Sequence, residues 1–289
     1  MSKDMHAPEP VVEEVSQAEV DEVMRKYDRE SATRIWQGVP RIVVGCIMAA
    51  FSLFCIWSTL FSTADLPIRL SAFLGFVVIM GYLTYPANKK KVKPNSLPWY
   101  DVVIMLLGAA AFFYYCLNYM ALVRVITSAA KMTPFFTIVG IIGILSLAEL
   151  CRRCVGIPIL VVVGALLVYT FASGQNLARV IYTLFYGTSG VMATPVQVCA
   201  KFIAVFIVFG AFLERTGVAS FFIDFANSIA GSSSGGPAKA AVVASALEGM
   251  VSGSSVGNTV GSGSITIPMM KRLGYKPEFA AAVEAAQKA

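Results

Sequence analysis

Eight consecutive residues, Ser252–Thr259, carry groups suited to ion binding, although they interrupt an apolar region of the chain. The segment reads Ser-Gly-Ser-Ser-Val-Gly-Asn-Thr, and its hydroxyl and amide groups supply neutral oxygen ligands. Glycine lets the backbone turn and brings carbonyl groups close to a ligand. We therefore expect a site for a dehydrated Na⁺ and for an anionic group at a helix N-terminus. The candidate residues are Ser252, Gly253, Ser254, Ser255, Gly257, Asn258 and Thr259.

The elements that must position this segment are the two short apolar stretches on either side of it. Neither stretch reaches the ~20 residues that a helix needs to cross a bilayer. Lys239 precedes the pair, and Lys271 and Arg272 follow it, which indicates that both ends lie on one side of a membrane. The pattern predicts a re-entrant helical hairpin at about 238–271, a usual binding element of secondary transporters. The alternative is close packing of small residues, which explains Gly261 and Gly263 well.

Two further residues could support this site. Glu248 lies in the first apolar stretch, where an ionisable group is expensive to bury and often functional. An equally acceptable interpretation is a carboxylate that faces a cavity or a partner near the interface. Ser264 lies at the start of the second stretch and adds a hydroxyl group.

A different chemistry is suggested by Cys151-Arg-Arg-Cys154, the only paired spacing among six cysteines. A lone C-x-x-C without a second pair or a nearby histidine is a weak signal for metal or redox chemistry. The single histidine, His6, excludes a multi-histidine metal site within the chain. We expect no catalytic residues, no enzyme activity and no cofactor apart from the Na⁺ that the polar segment could bind.

The composition indicates an integral membrane protein. Of the 289 residues, 57% are hydrophobic and only 14% are charged, whereas soluble domains carry about 25% charge. Nine of the seventeen acidic residues lie within residues 1–30, so the net charge of +6 comes from the membrane part. This charge fits anchoring to a lipid bilayer and not nucleic-acid binding. Residues 1–38 are expected to form a cytosolic tail, and their acidic character excludes a signal peptide.

Six apolar runs are each near the length of one membrane crossing. The tail, the lysines at 89–93, Arg152 with Arg153, and Arg215 fall on the same side when the crossings alternate. That side holds the excess of basic residues and should be cytoplasmic. Shorter helices are expected within 174–195, as an interfacial helix between the fifth and sixth crossings, and at 219–229, as an amphipathic stretch. The runs are 41–61, 66–85, 101–123, 133–150, 155–173 and 196–213.

Five segments of the C-terminal half form a dense and specific pattern. They are Phe209–Gly217, Gly235–Leu247, Ser252–Asn258, Ser264–Arg272 and Gly274–Glu284. Together they closely resemble the fused permease of tripartite ATP-independent periplasmic (TRAP) transporters. The resemblance is dense from about 205 to 286, and we assign it to the TAXI-type branch.

The resemblance implies an all-α integral membrane protein in which a four-helix, small-subunit-like bundle precedes a transport domain. The predicted parts are the tail 1–38, the bundle 39–152 and the first part of the transport domain, 153–289. It also implies Na⁺-coupled import of a small organic acid across the bacterial inner membrane. A periplasmic substrate-binding protein would hand over that acid. The resemblance also places Ser252, Ser254, Ser255 and Asn258 at the tip of the first hairpin, near ion and substrate.

Large subunits of this family contain a second hairpin in an inverted repeat, whereas this sequence ends at Ala289, soon after the first. A complete site at the membrane midplane needs both repeats. We therefore expect a fragment, a truncated product or one half of a split permease that requires the remainder of the permease as a partner. The alternative is a non-transporting membrane scaffold or an inactive remnant.

Overall fold

The structure is a computed structural model, and it describes residues 33–87, 95–125, 131–231, 233, 235–251, 263 and 266–286. Helices dominate, and no strand occurs within these ranges. The chain divides into two compact units between Val208 and Phe209. The protein is thus an all-α integral membrane protein, as predicted.

The first unit contains the long apolar helices. It also contains two short helices, α6 and α7, that continue through π-helical turns at Tyr182–Tyr186 and Cys199–Ile203. The helices are α1 (Val39–Leu60), α2 (Leu66–Thr84), α3 (Trp99–Val125), α4 (Pro134–Cys154), α5 (Ile157–Ala172), α6 (Leu177–Ile181), α7 (Thr194–Val198) and α8 (Ala204–Arg215), which runs on into the second unit.

Five described helices are long and apolar enough to cross a membrane. The fifth predicted run forms α5, which has only 16 residues and is therefore shorter than expected. Gly156 at φ 111° and Pro158 separate α5 from α4, and Gly174 at φ 78° follows its end. The five helices are Val39–Leu60, Leu66–Thr84, Trp99–Arg124, Pro134–Cys154 and Thr194–Leu213.

The core of the first unit lies where α2, α3 and α4 pack against the segment around Phe185. Val78, Phe112 and Phe185 are completely buried in it. Gly143 permits the close approach, since a Cβ at this position would overlap the Phe185 ring. The shorter helix predicted within 174–195 thus packs into the bundle through its π-helical continuation.

Four charged side chains interact at one end of this bundle, and we call them the buried ion cluster. They are Arg34, Asp101, Arg153 and Glu149. The Asp101 carboxylate accepts hydrogen bonds from Arg34 and, at 2.7 Å, from Arg153. Arg153 Nε also donates to Glu149 Oε1 at 2.8 Å. Asp101 is completely buried and Arg153 is 3% exposed, so Arg153 is no ordinary helix-end charge.

Backbone contacts reinforce the same end of the bundle. The amide of Arg34 donates to the Thr84 carbonyl at 2.8 Å, and the amide of Asn95 donates to the Ile35 carbonyl at 2.9 Å. The last residues of the predicted tail, the end of α2, the start of α3 and the end of α4 therefore meet at one end. The alternation of charges predicts this grouping, and the assignment of this end to the cytoplasm stays a prediction.

The second unit contains α9 (Val218–Ala230), α10 (Gly236–Val251), a helical segment at 266–272 that we call the second limb, and α11 (Pro277–Ala286). Helices α9 and α10 pack on each other mainly through alanines. The shorter helix predicted at 219–229 is α9. The buried residues between these two helices are Ile223, Ala226, Ala240 and Ala244.

Candidate functional site

The predicted binding residues fall between α10 and the second limb. Residues 252–262, 264 and 265 lie outside the described residues, and they include every candidate from Ser252 to Thr259 as well as Ser264. Their assignment stays a prediction. The structure describes the elements on both sides of them, together with Gly263 and Glu248.

The first limb, α10, and the second limb pack against each other, as the two arms of a hairpin do. Ala241 at the start of α10 and Met270 at the end of the second limb belong to one buried cluster. Ala280 of α11 completes this cluster, and all three side chains are at most 2% exposed. The beginning of the first limb thus lies beside the end of the second, and α11 packs against both.

The first limb carries two buried polar side chains. Glu248 is 7% exposed, and Ser245, three residues earlier on the same helical face, is 5% exposed. The Ser245 hydroxyl has no hydrogen-bond partner among the residues that the structure describes. Polar groups that are buried in this way usually have a partner. Glu248 also follows Ala244 by four residues, so it lies next to the alanine-lined face of α10 that packs on α9.

The second limb is joined to α11 by a polar contact that the sequence did not reveal. Thr266 Oγ1 donates a hydrogen bond of 2.6 Å to Glu284 Oε2, and both side chains are 1% exposed. A glutamate within the apolar sequence Phe-Ala-Ala-Ala-Val-Glu-Ala-Ala is the signal that could have indicated it.

The C-x-x-C pair offers no comparable arrangement. Cys151 and Cys154 are free thiols, partly buried near the end of α4. No group of three or more metal-ligating side chains forms among the described residues. The hypothesis of a metal or redox site at these cysteines therefore gains no support from the fold.

A cavity of about 410 Å³ lies in the first unit. The tyrosine hydroxyls in its wall already have partners within the protein. The Tyr115 hydroxyl donates to the Tyr186 carbonyl, and the Tyr186 hydroxyl donates to the Phe136 carbonyl. None of the described residues around it is charged, so it lacks a cation for an organic acid. The lining residues are Pro67, Tyr115, Tyr119, Leu122, Val123, Tyr182, Tyr186, Gly187 and Thr188.

Residues 141–288 match the family described as "Tripartite ATP-independent periplasmic transporter, DctM component". The match covers half of the chain and includes α9, α10, the second limb and α11. The chain belongs to this family of TRAP permeases. The matched region begins within α4, upstream of the predicted division at 152/153, which stays a prediction.

Individual TRAP permeases resemble the same region. A "C4-dicarboxylate TRAP transporter large permease protein DctM" of Vibrio cholerae is 35% identical over 147 residues, which are 49% of this chain and 30% of the relative. The DctM proteins of Pseudomonas aeruginosa and Rhodobacter capsulatus are 45% and 42% identical over 78 residues, or 27% of this chain and 18% of each relative. The chain thus spans less than a third of these relatives. No solved structure matches it.

Membership in the family confirms the resemblance found in the sequence, although the fusion to a small subunit and the TAXI-type branch stay predictions. The relatives are named as permeases and not as enzymes. The helical hairpin, as a feature of the matched region, is the strongest candidate site.

Proposed function

We propose that this chain is part of the permease of a TRAP transporter that imports small organic acids, C4-dicarboxylates among them, with Na⁺ as the coupling ion. The observation that carries the proposal is the family match over 141–288, which contains both limbs of the hairpin and their packing partners. The names of the relatives support the substrate class.

The polar segment between the limbs supplies the ion site in this proposal. Ser254, Ser255 and Asn258 offer neutral oxygens that replace water around Na⁺, and glycines expose backbone carbonyls. The bound cation and the ends of the broken helices then attract the carboxylate of the substrate. Because both ligands use one segment, filling of the ion site favours binding of the acid, and the two move together.

The upstream helices act as the small-subunit-like part of the permease, and a periplasmic binding protein delivers the acid. The remaining length of the relatives supplies the second half of the site. The protein lies in the bacterial inner membrane with its N-terminus in the cytoplasm, and it moves the acid without chemical change.

Proteoliposomes test this function when they contain the chain, a polypeptide that covers the rest of the relatives' length, and the binding protein loaded with labelled succinate. An inward Na⁺ gradient should drive accumulation of succinate, whereas an equal K⁺ gradient should not. Equal accumulation under both gradients would exclude Na⁺ coupling.

Glu248 gives a prediction for the first limb. We expect Glu248→Gln to reduce Na⁺-driven uptake about tenfold, because it removes the charge of a buried carboxylate beside the polar segment while it keeps the volume. Initial uptake rates in the same vesicles measure the effect. The matched control is Glu278→Gln on α11, where the side chain is exposed. Uptake by Glu248→Gln within twofold of the parent would show that this carboxylate has no role in transport.

A further inference from the structure

Glu284 is a buried carboxylate outside the predicted binding segment. It accepts the hydrogen bond from Thr266 across the contact between α11 and the second limb. Its neighbours on this face include Ala280 and Met270, so apolar side chains alone could fill the contact. Burial of a carboxylate is expensive unless its interactions compensate for the lost hydration.

Glu284 also contacts the chain one turn before Thr266. A Cβ at Gly263 would lie 3.2 Å from Glu284 Cγ, so the aliphatic part of the glutamate packs directly over this glycine. Gly263 follows Thr259, the last candidate binding residue, by only four positions. Glu284 thus contacts the chain at two points, Gly263 shortly before the second limb and Thr266 at its start.

We propose that Glu284 is a positioning residue for ion binding, because it holds the second limb, through Thr266, in the place that the polar segment requires. This inference rests on the proposed function, since it assigns the ion site to that segment. Glu284 contacts neither ion nor substrate in this proposal. It acts by restricting the limb from which the binding segment extends.

The test compares variants that remove the Thr266–Glu284 hydrogen bond with variants that keep it. Thr266→Val and Glu284→Met remove the donor or the acceptor at nearly constant volume. Thr266→Ser and Glu284→Gln keep a donor or an acceptor at the same place. Glu278→Met, at an exposed position of α11, is the matched control. The measurement is the Na⁺ concentration that gives half-maximal succinate uptake.

We expect Thr266→Val and Glu284→Met each to raise this Na⁺ concentration about tenfold, the effect of losing a hydrogen bond to a charged group. The double variant should be no worse than the more severe single variant, because both changes remove one interaction. The two conservative variants and the control should stay within twofold of the parent. Unchanged Na⁺ dependence in Glu284→Met, or multiplied effects in the double variant, would overturn the proposal.

Hydrogen exchange separates failure of this inference from failure of the proposed function. In the purified chain in lipid nanodiscs, amides of residues 266–272 should exchange faster in Thr266→Val and Glu284→Met, while those of α9 should not change. If the parent shows no Na⁺-driven uptake, the proposed function fails, and exchange alone decides the positioning role. Equal exchange at 266–272 in parent and variants would overturn that role.

Discussion

Alanine at Asn258 or Ser254 is expected to reduce Na⁺-driven uptake about 10- to 150-fold. In the proposed site each side chain would supply a neutral oxygen to the cation, and a hydrogen bond to a charged group contributes about 1.5–3 kcal/mol. An alanine at either position would remove that oxygen without a replacement. The measurement is the initial rate of succinate uptake in vesicles that contain equal amounts of parent or variant permease.

The competing explanation for this segment is close packing of small residues. Alanine is as small as serine and would preserve such packing, so that explanation predicts almost unchanged uptake. Ser228→Ala, at an exposed position of α9 in the same unit, controls for a general effect of losing a hydroxyl group. Parent-like uptake by both Asn258→Ala and Ser254→Ala would remove these residues from the site.

Asp101→Ala is expected to lower the free energy of unfolding by about 3–5 kcal/mol, the usual cost of leaving a buried charge without its partner. The Asp101 carboxylate lies between the guanidinium groups of Arg34 and Arg153, which are 8% and 3% exposed. Its loss leaves two cations at a buried position, although Glu149 still accepts from Arg153. Chemical unfolding in detergent micelles measures the change.

Two variants make this stability prediction specific. Asp224→Ala removes an exposed carboxylate on α9 and should change the free energy of unfolding by less than about 0.5 kcal/mol. Combining Asp101→Leu with Arg34→Met should recover much of the loss, because it removes one stranded cation and fills the space. A change below 1 kcal/mol for Asp101→Ala would show that the buried ion cluster does not stabilise the fold.

The long helices could be predicted from the sequence because an apolar run of about 20 residues is a local signal. Proline and glycine are also local signals for the start of a helix. Pro134 lies at the start of α4, and Gly156 and Pro158 lie at the start of α5. The fifth run was predicted near full membrane length, and those same residues, together with Gly174, restrict it to 16 residues.

The contacts between distant charges could not be predicted in the same way. Arg34 and Asp101 are 67 residues apart, and Asp101 and Arg153 are 52 residues apart. Hydropathy gives the order of the helices but not which faces meet, so Arg153 could not be distinguished from the neighbouring Arg152. The contact between Thr266 and Glu284 could not be predicted for the same reason. It forms only where α11 folds back onto the second limb.

The candidate binding residues were predicted from their type, since hydroxyl and amide groups rarely cluster at membrane depth without a role. Their ligand geometry could not be predicted, because neutral oxygens bind Na⁺ without a fixed spacing in sequence. The fold adds what composition lacks: limbs that meet at Ala241 and Met270, and a helix, α11, that packs against both.

The most direct test of Na⁺-coupled transport is the flux of the ion itself. In vesicles that contain the chain with the rest of the permease, entry of ²²Na⁺ should accelerate when binding protein loaded with succinate is added. It should remain at the basal rate with the empty binding protein or with Asn258→Ala. Accumulation of succinate without any acceleration of ²²Na⁺ entry would contradict the proposed coupling.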